Sequence, residues 1–264
     1  MESKLDQTTQ QILDYPDILI YRGTRFAFNP HLVKYSSPKP TSHGGYVVQC
    51  TYPIIKNKLS DGTNVSIDVD IMLQTPVMQT TFGMSTKEHD KGKIRGTVDL
   101  CFSPGSAKEV DAFHDVLLLW DKLLLKRAQN NKKVWFKSNK ITDDILQYLY
   151  NPIIRKNKSK NDDKEYPDSF RSKIPRRFNR FECEVYNAEE EPISLDEITR
   201  GCTLRKICRH TGIWFGETMF VSSFETPQIQ KMGEGKLSGY AFVDPYSIKE
   251  QEETSKPSFK MVTE

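Results

Sequence analysis

Lys and Arg crowd into one stretch of this 264-residue chain. Between Lys122 and Arg180 stand 17 of its 38 basic residues against six acidic ones, a net +11, while the remainder carries −8. Aromatic residues run through the same stretch: Trp135, Phe136, Tyr148, Tyr150, Tyr166, Phe170 and Phe178. Ammonium and guanidinium groups neutralise phosphates, and aromatic faces stack on unpaired bases. The combination points to a single-stranded nucleic acid; the alternative is a solvated helix face followed by a charged loop.

Three clusters carry the signal. KKVWFK brings Lys132, Lys133 and Lys137 around Trp135 and Phe136, two aromatics that could equally cover the end of a helix. Arg155, Lys156, Lys158 and Lys160 form the second, in a polar segment. The third is Arg171, Lys173, Arg176, Arg177 and Arg180, with Phe178 among them as a stacking candidate. Arg171 and Lys173 alternate with Ser172 and Ile174, so a strand here shows a basic face to one side and Ile174 to the core. Trp214, in a central apolar segment, is expected in the core.

Other chemistry finds little support. There is no GxSxG, no P-loop and no GxGxxG after a strand, so no catalytic residue is assigned and the chain reads as a non-enzyme. Asp68 and Asp70 share one strand face and read as a solvent-facing edge. The five cysteines lack CxxC spacing and the five histidines are scattered, so neither a metal nor another cofactor is expected. The cysteines read as reduced thiols, with Cys101 and Cys183 in apolar stretches and expected in the core. No apolar run approaches the ~20 residues of a membrane span, and the polar start lacks a signal-peptide pattern.

The elements that must position these groups are mostly strands. Gly45 to Ile55 and Val65 to Ile71 are strand-like, the second with clear period-two alternation. Gln74 to Gly83 reads as a structured loop and Lys87 to Gly96 as an exposed loop entering a strand at Ile94 to Phe102. Ser106 to Arg127 has the apolar stripe of a helix, with Ser103 or Ser106 available as cap. A short helix follows from Thr142, its cap, to Tyr150, and Asn157 to Pro167 reads as a loop. Phe170 to Ile174 and Phe181 to Tyr186 are strands joined by the hairpin-like PRRFNR. Thr203 to His210, Ile213 to Phe215 and Met219 to Ile229 follow. The pattern predicts a mainly β fold, a small barrel or sandwich with a helical insertion. It divides into an N-terminal arm (1–20), a domain (21–243) and a polar, weakly acidic tail (244–264), expected to be disordered.

Several segments in order resemble a known family: Gln74-Thr75-Pro76 with Phe82-Gly83, the strand–helix of Val98 to Leu125, and Asn151-Pro152-Ile153. Tyr166 to Phe170 with Lys173 and Pro175, then Gly212-Ile213-Trp214-Phe215, complete the set. This order, over about residues 45 to 232, is similar to the single-stranded DNA-binding proteins of nucleocytoplasmic large DNA viruses, spanning asfarviruses, chloroviruses and giant amoebal viruses. The resemblance implies an OB-fold, a five-stranded barrel with a long helix and extended loops. It implies support of viral replication, recombination or repair without catalysis or cofactor, through the basic positions of Pro152 to Arg180. Where the family's pattern has a glycine a few residues after GIWF, this chain reads ETMFVSSFETPQ.

The expected partner is single-stranded DNA, with replication proteins recruited through the tail, no membrane, and a homo-oligomer among the possible states. The expected location is the viral factory in the host cytoplasm, or the nucleus, with packaging in the virion an option. The competing reading is a structural or assembly protein whose basic block binds another partner.

Overall fold

The computed structural model describes residues 15–234, apart from 43, 59–63, 90–92, 104, 138–139 and 159–164. Five long strands form its centre: β1 (Met78–His89), β2 (Lys93–Cys101), β3 (Glu165–Ile174), β4 (Thr203–Phe215) and β5 (Phe220–Gly233). The pairs β1–β2, β2–β3, β4–β5 and β1–β4 are antiparallel, and β3 meets β5 in parallel at Lys173↔Glu225. The circular order 1-2-3-5-4-1 closes a five-stranded barrel with the path of an OB-fold. The chain thus has the mainly β architecture that its pattern predicts. The β4–β5 ladder runs from Thr203↔Gly233 to Phe215↔Phe220 without the glycine of the resembled pattern.

Alternation fills the barrel. Val98 and Leu100 of β2, Phe170 and Ile174 of β3, Leu204 and Cys208 of β4 and Phe224 of β5 are buried. Lys206 lies among them, its amine donating to the Val98 carbonyl (2.9 Å) and Ser172 Oγ (2.7 Å) over the Phe170 ring. Burial lowers its pKa. On β4, bulges between Ile207 and Arg209 and between His210 and Gly212 reset the alternation. His210 faces inward before the second bulge, Ile213 and Phe215 after it, and Trp214 turns outward, 39% exposed. Trp214 is therefore not the core residue expected from its apolar neighbours. Gly212 sits at φ +119°, where a Cβ would fall 2.7 Å from the Val47 side chain, so the bulge requires glycine.

Helix α1 (Lys108–Asn130) is inserted between β2 and β3. Glu109 and Asp111 in its first turn and Arg127 in its last complement the helix dipole. Neither expected serine caps it: the N-cap is Ala107, and the Ser106 hydroxyl is spent on the Ser103 carbonyl at 2.5 Å. Trp120 touches His210 and Phe224 of the barrel and Phe28 on its other side, with ring centroids 5.1, 5.7 and 5.1 Å away. Phe28 in turn packs on Tyr52, in a three-stranded sheet of Lys34–Tyr35, Cys50–Lys58 and Asn64–Asp70. The helix is thus held between barrel and N-terminal sheet.

Two short helices follow, α2 (Lys132–Trp135) and α3 (Asp143–Leu149), the latter capped by Thr142 as expected. Buried Asp121 of α1 accepts from the backbone N–H groups of Ile153 (2.8 Å) and Ile154 (3.1 Å) and from the Tyr150 hydroxyl. That carboxylate fixes where the strand Ile154–Lys158 begins.

Three expected loops are strand in part, residues 90–92 and 159–164 within them lying outside the described residues. Gln74 to Gly83 contains the first half of β1, and Lys87 to Gly96 holds the far ends of β1 and β2. Asn157 and Lys158 continue the strand that pairs with β3, whose own start is Glu165. Cys101 and Cys183 are only half-buried, while Cys50, Cys202 and Cys208 are the core cysteines; all five are free thiols.

Candidate nucleic-acid interface

The outer face of β1–β2–β3 and the adjoining strand Ile154–Lys158 form a shallow groove of about 440 Å³. Ladder registry sets its composition. Lys87 of β1 stands opposite Arg95 of β2, and Thr97 lies between Ser85 and Lys173. Arg171 is two residues from Lys173 on the same face, and Arg155 comes from the strand beyond β3. Five cations, Lys87, Arg95, Arg155, Arg171 and Lys173, thus line one groove, with Met219 and Val221 of the β4–β5 end closing it.

Like charges placed this closely repel. Burial and then the Arg171 charge lower the pKa of Arg155, and burial and then Arg95 lower that of Lys173. Compensation is sparse. Asp99, buried on β2, takes Arg171 in a forked ion pair (2.7 Å to Nε, 2.5 Å to Nη2), which raises the arginine's pKa. Glu225 acts on Lys173 but is itself paired with Arg209 at 3.0 Å. The arrangement can hold a polyanion track.

The groove gathers three of the sequence-derived candidates, Arg155, Arg171 and Lys173. Lys156 turns away to Asp168 (2.6 Å), beside His114, and Lys158 pairs with Glu165 at 3.0 Å. Lys160 lies outside the described residues. In KKVWFK the aromatics turn inward rather than to the surface. Trp135 is buried against Tyr35 and Phe215, and Phe136 packs on Phe215 and Phe220. Lys132 pairs with Asp143 at 2.6 Å and Lys137 with the Tyr46 hydroxyl, which leaves Lys133 exposed on α2.

PRRFNR makes a tight turn, Arg176–Arg177 against Arg180–Phe181, beside the groove rather than in it. The strands it is expected to join do not pair with each other: Phe170–Ile174 lies in β3 and Glu184–Tyr186 pairs with β5. Phe181 seats on Gly96, where a Cβ would lie 2.7 Å from its ring, and Arg176 donates to the Ile94 carbonyl. Arg177 pairs with Glu182 at 3.2 Å; Arg180 and Phe178 are exposed, Phe178 by 97%. Phe178 and Asn179 both adopt positive φ (43° and 64°), an unusual position for a bulky residue.

Lys87 and Arg95 were missed because their segment read as a loop. Their two-residue spacings to Ser85 and Thr97 were the available signal, since a strand places such pairs on one face. Trp214 also lies on the outer side, opposite Val221, which lines the groove.

Solved structures of similar outline include the single-stranded DNA-binding protein of bacteriophage Enc34 in complex with ssDNA, 12% identical with TM-score 0.43, covering 71% of this chain and 98% of that one. Another is gp2.5, a single-stranded DNA-binding protein encoded by bacteriophage T7, 9% identical with TM-score 0.41, covering 74% and 100%. No curated protein sequence matches this chain. A family model does match residues 106–244, from the start of the inserted helix through β3, β4 and β5. By that match the chain belongs to the family of unknown function DUF5871.

Proposed function

We propose that this protein binds single-stranded DNA without strong sequence preference, holding the phosphate backbone along the outer face of β2 and β3. The carrying observation is the groove in which Lys87, Arg95, Arg155, Arg171 and Lys173 converge with one buried carboxylate to offset them. Such crowding costs stability in the free protein and is relieved when a polyanion enters. The β2–β3 face is also where OB-folds take up oligonucleotides. The finer role is coating unpaired strands in viral replication, recombination or repair, in the manner of large DNA viruses and without catalysis. It draws on the ordered sequence motifs and keeps the viral factory or nucleus as the location. Recruitment of replication proteins by the tail and self-association belong to the same reading.

Titration of labelled oligo-dT across a salt series tests it. Binding should be submicromolar at low salt, stronger than for duplex or heparin, and should weaken with a log–log slope of about −0.7 per phosphate neutralised. Equal affinity for heparin and oligo-dT would instead favour an assembly protein with a generic anion-binding face. No binding to oligo-dT at low salt overturns the proposal.

A further inference from the structure

The same outer face has a second compartment of different chemistry. A cleft of about 680 Å³ continues from the groove across the shared Arg171 and is lined by Phe82, Asp99, Asn157, Tyr166 and Arg200. Among the described residues its one acid–base pair is Asp99 with Arg171, and its other cation, Arg200, lies 6.0 Å from the centre of the Phe82 ring. The groove concentrates cations, whereas this cleft presents aromatic faces and amide groups.

Two irregularities in the ladders aim the aromatics here. Between Met84↔Val98 and Thr80↔Leu100, three residues of β1 stand against Asp99 alone, which throws Phe82 outward, 63% exposed. Between Arg155↔Ser169 and Asn157↔Tyr166, β3 carries an extra residue, and Tyr166 beside it is 49% exposed. Bulges commonly re-aim a side chain at a functional site. Here one on each flank of the β2–β3 pair turns an aromatic into a single cleft. Asp99, buried and paired with Arg171, offsets that cation, so the cleft carries less net positive charge than the groove, and an incoming strand would be sorted: backbone over the groove, base into the cleft.

We propose that the Phe82–Tyr166 cleft is a base-binding pocket that takes one unstacked nucleobase, and that it is the determinant by which this protein prefers single-stranded DNA to other polyanions. The inference rests on the groove binding the backbone of single-stranded DNA. A base within a duplex is stacked and paired and cannot enter. Arg200 beside Phe82 adds a cation to the aromatic platform, and Asn157 supplies an amide oxygen to a base edge, its Nδ2 being held by the Pro167 carbonyl and Ser169.

The test compares oligo-dT with a strand of equal length carrying abasic sugar–phosphate units. Wild type should bind oligo-dT about five- to 150-fold more tightly than the abasic strand, since stacking contributes ~1–3 kcal/mol per base. Phe82→Ala and Tyr166→Ala should each lower affinity for oligo-dT, toward the abasic value, and leave abasic binding unchanged; Tyr166→Phe should retain wild-type behaviour. Lys173→Gln should weaken both strands alike. Both aromatics stand at the surface, and thermal unfolding of the variants checks that the fold is kept. If the ratio of oligo-dT to abasic affinity is unmoved by Phe82→Ala and Tyr166→Ala, the pocket is wrong while the groove stands. If wild type binds neither strand, the groove reading falls, and the pocket with it.

Discussion

Lys173 and Lys206 sit on strands of one barrel, and burial draws the pKa of both amines down. Their surroundings differ. Lys206 is enclosed, with a carbonyl and a hydroxyl as hydrogen-bond acceptors and an aromatic ring beneath it. Lys173 is partly desolvated by its neighbours but opens onto a groove that it shares with four other cations. Lys206 finds its acceptors inside the barrel, whereas the groove keeps several cations with few carboxylates to offset them. Polar groups inside should therefore govern stability and those outside should govern binding.

The strongest attempt to break this division is charge reversal of Lys87, Arg95 and Lys173 to Glu together. Affinity for oligo-dT should fall about a thousandfold, ~4 kcal/mol, with the thermal midpoint unchanged or raised because repulsion is relieved. A collapse in stability would show that the groove cations are structural. Asp121→Ala tests the link between the compartments, since this interior carboxylate sets the start of the strand that delivers Arg155. Leaving two buried N–H groups without an acceptor should cost ~3 kcal/mol in urea unfolding, with a smaller loss of affinity.

Acid should act on the interior through His210. Enclosed by Trp120 and Phe224, with Nε2 at 2.9 Å from Ser222 Oγ, it has its pKa driven by burial from 6.5 to about 3. The unfolded chain then takes up a proton that the folded chain refuses, so stability falls as pH drops from 6.5 toward 3. At pH 5 the loss is ~2 kcal/mol, and His210→Gln should lack this component of the pH profile. A variant with the same acid sensitivity would place the titrating group elsewhere.

Much of the scaffold was legible in the chain. The alternation of Arg171 and Lys173 with Ser172 and Ile174 survives in β3, as do the Thr142 cap and the PRRFNR turn. β1 was hidden because three of its residues bulge opposite Asp99, and because its far end is polar on both faces and shows no hydrophobic period. Trp135 misled because local charge density says nothing of distant partners, here Tyr35 and Phe215. Trp214 misled because its apolar neighbours suggested the core, whereas the bulge at Gly212 shifts the parity of β4 and gives the inside to Ile213 and Phe215. The candidate site was half visible for one reason: its β3 cations lie in a regular strand, and its β1 aromatic in an irregular one.

The parallel contact of β3 with β5 bears on how the molecule is made. The strands that carry the groove are finished by Ile174, yet the ring closes only when Phe220–Gly233 has been synthesised. Contacts so far apart in sequence form slowly. Until then the Arg171–Ile174 end of β3, beyond its pairing with Ile154–Lys158, offers an unpaired edge beside a cluster of cations, a surface open to capture by other nascent strands and by ribosomal RNA. Appending Phe220–Gly233 upstream of β1 in a circular permutant should therefore speed closure and raise the soluble yield.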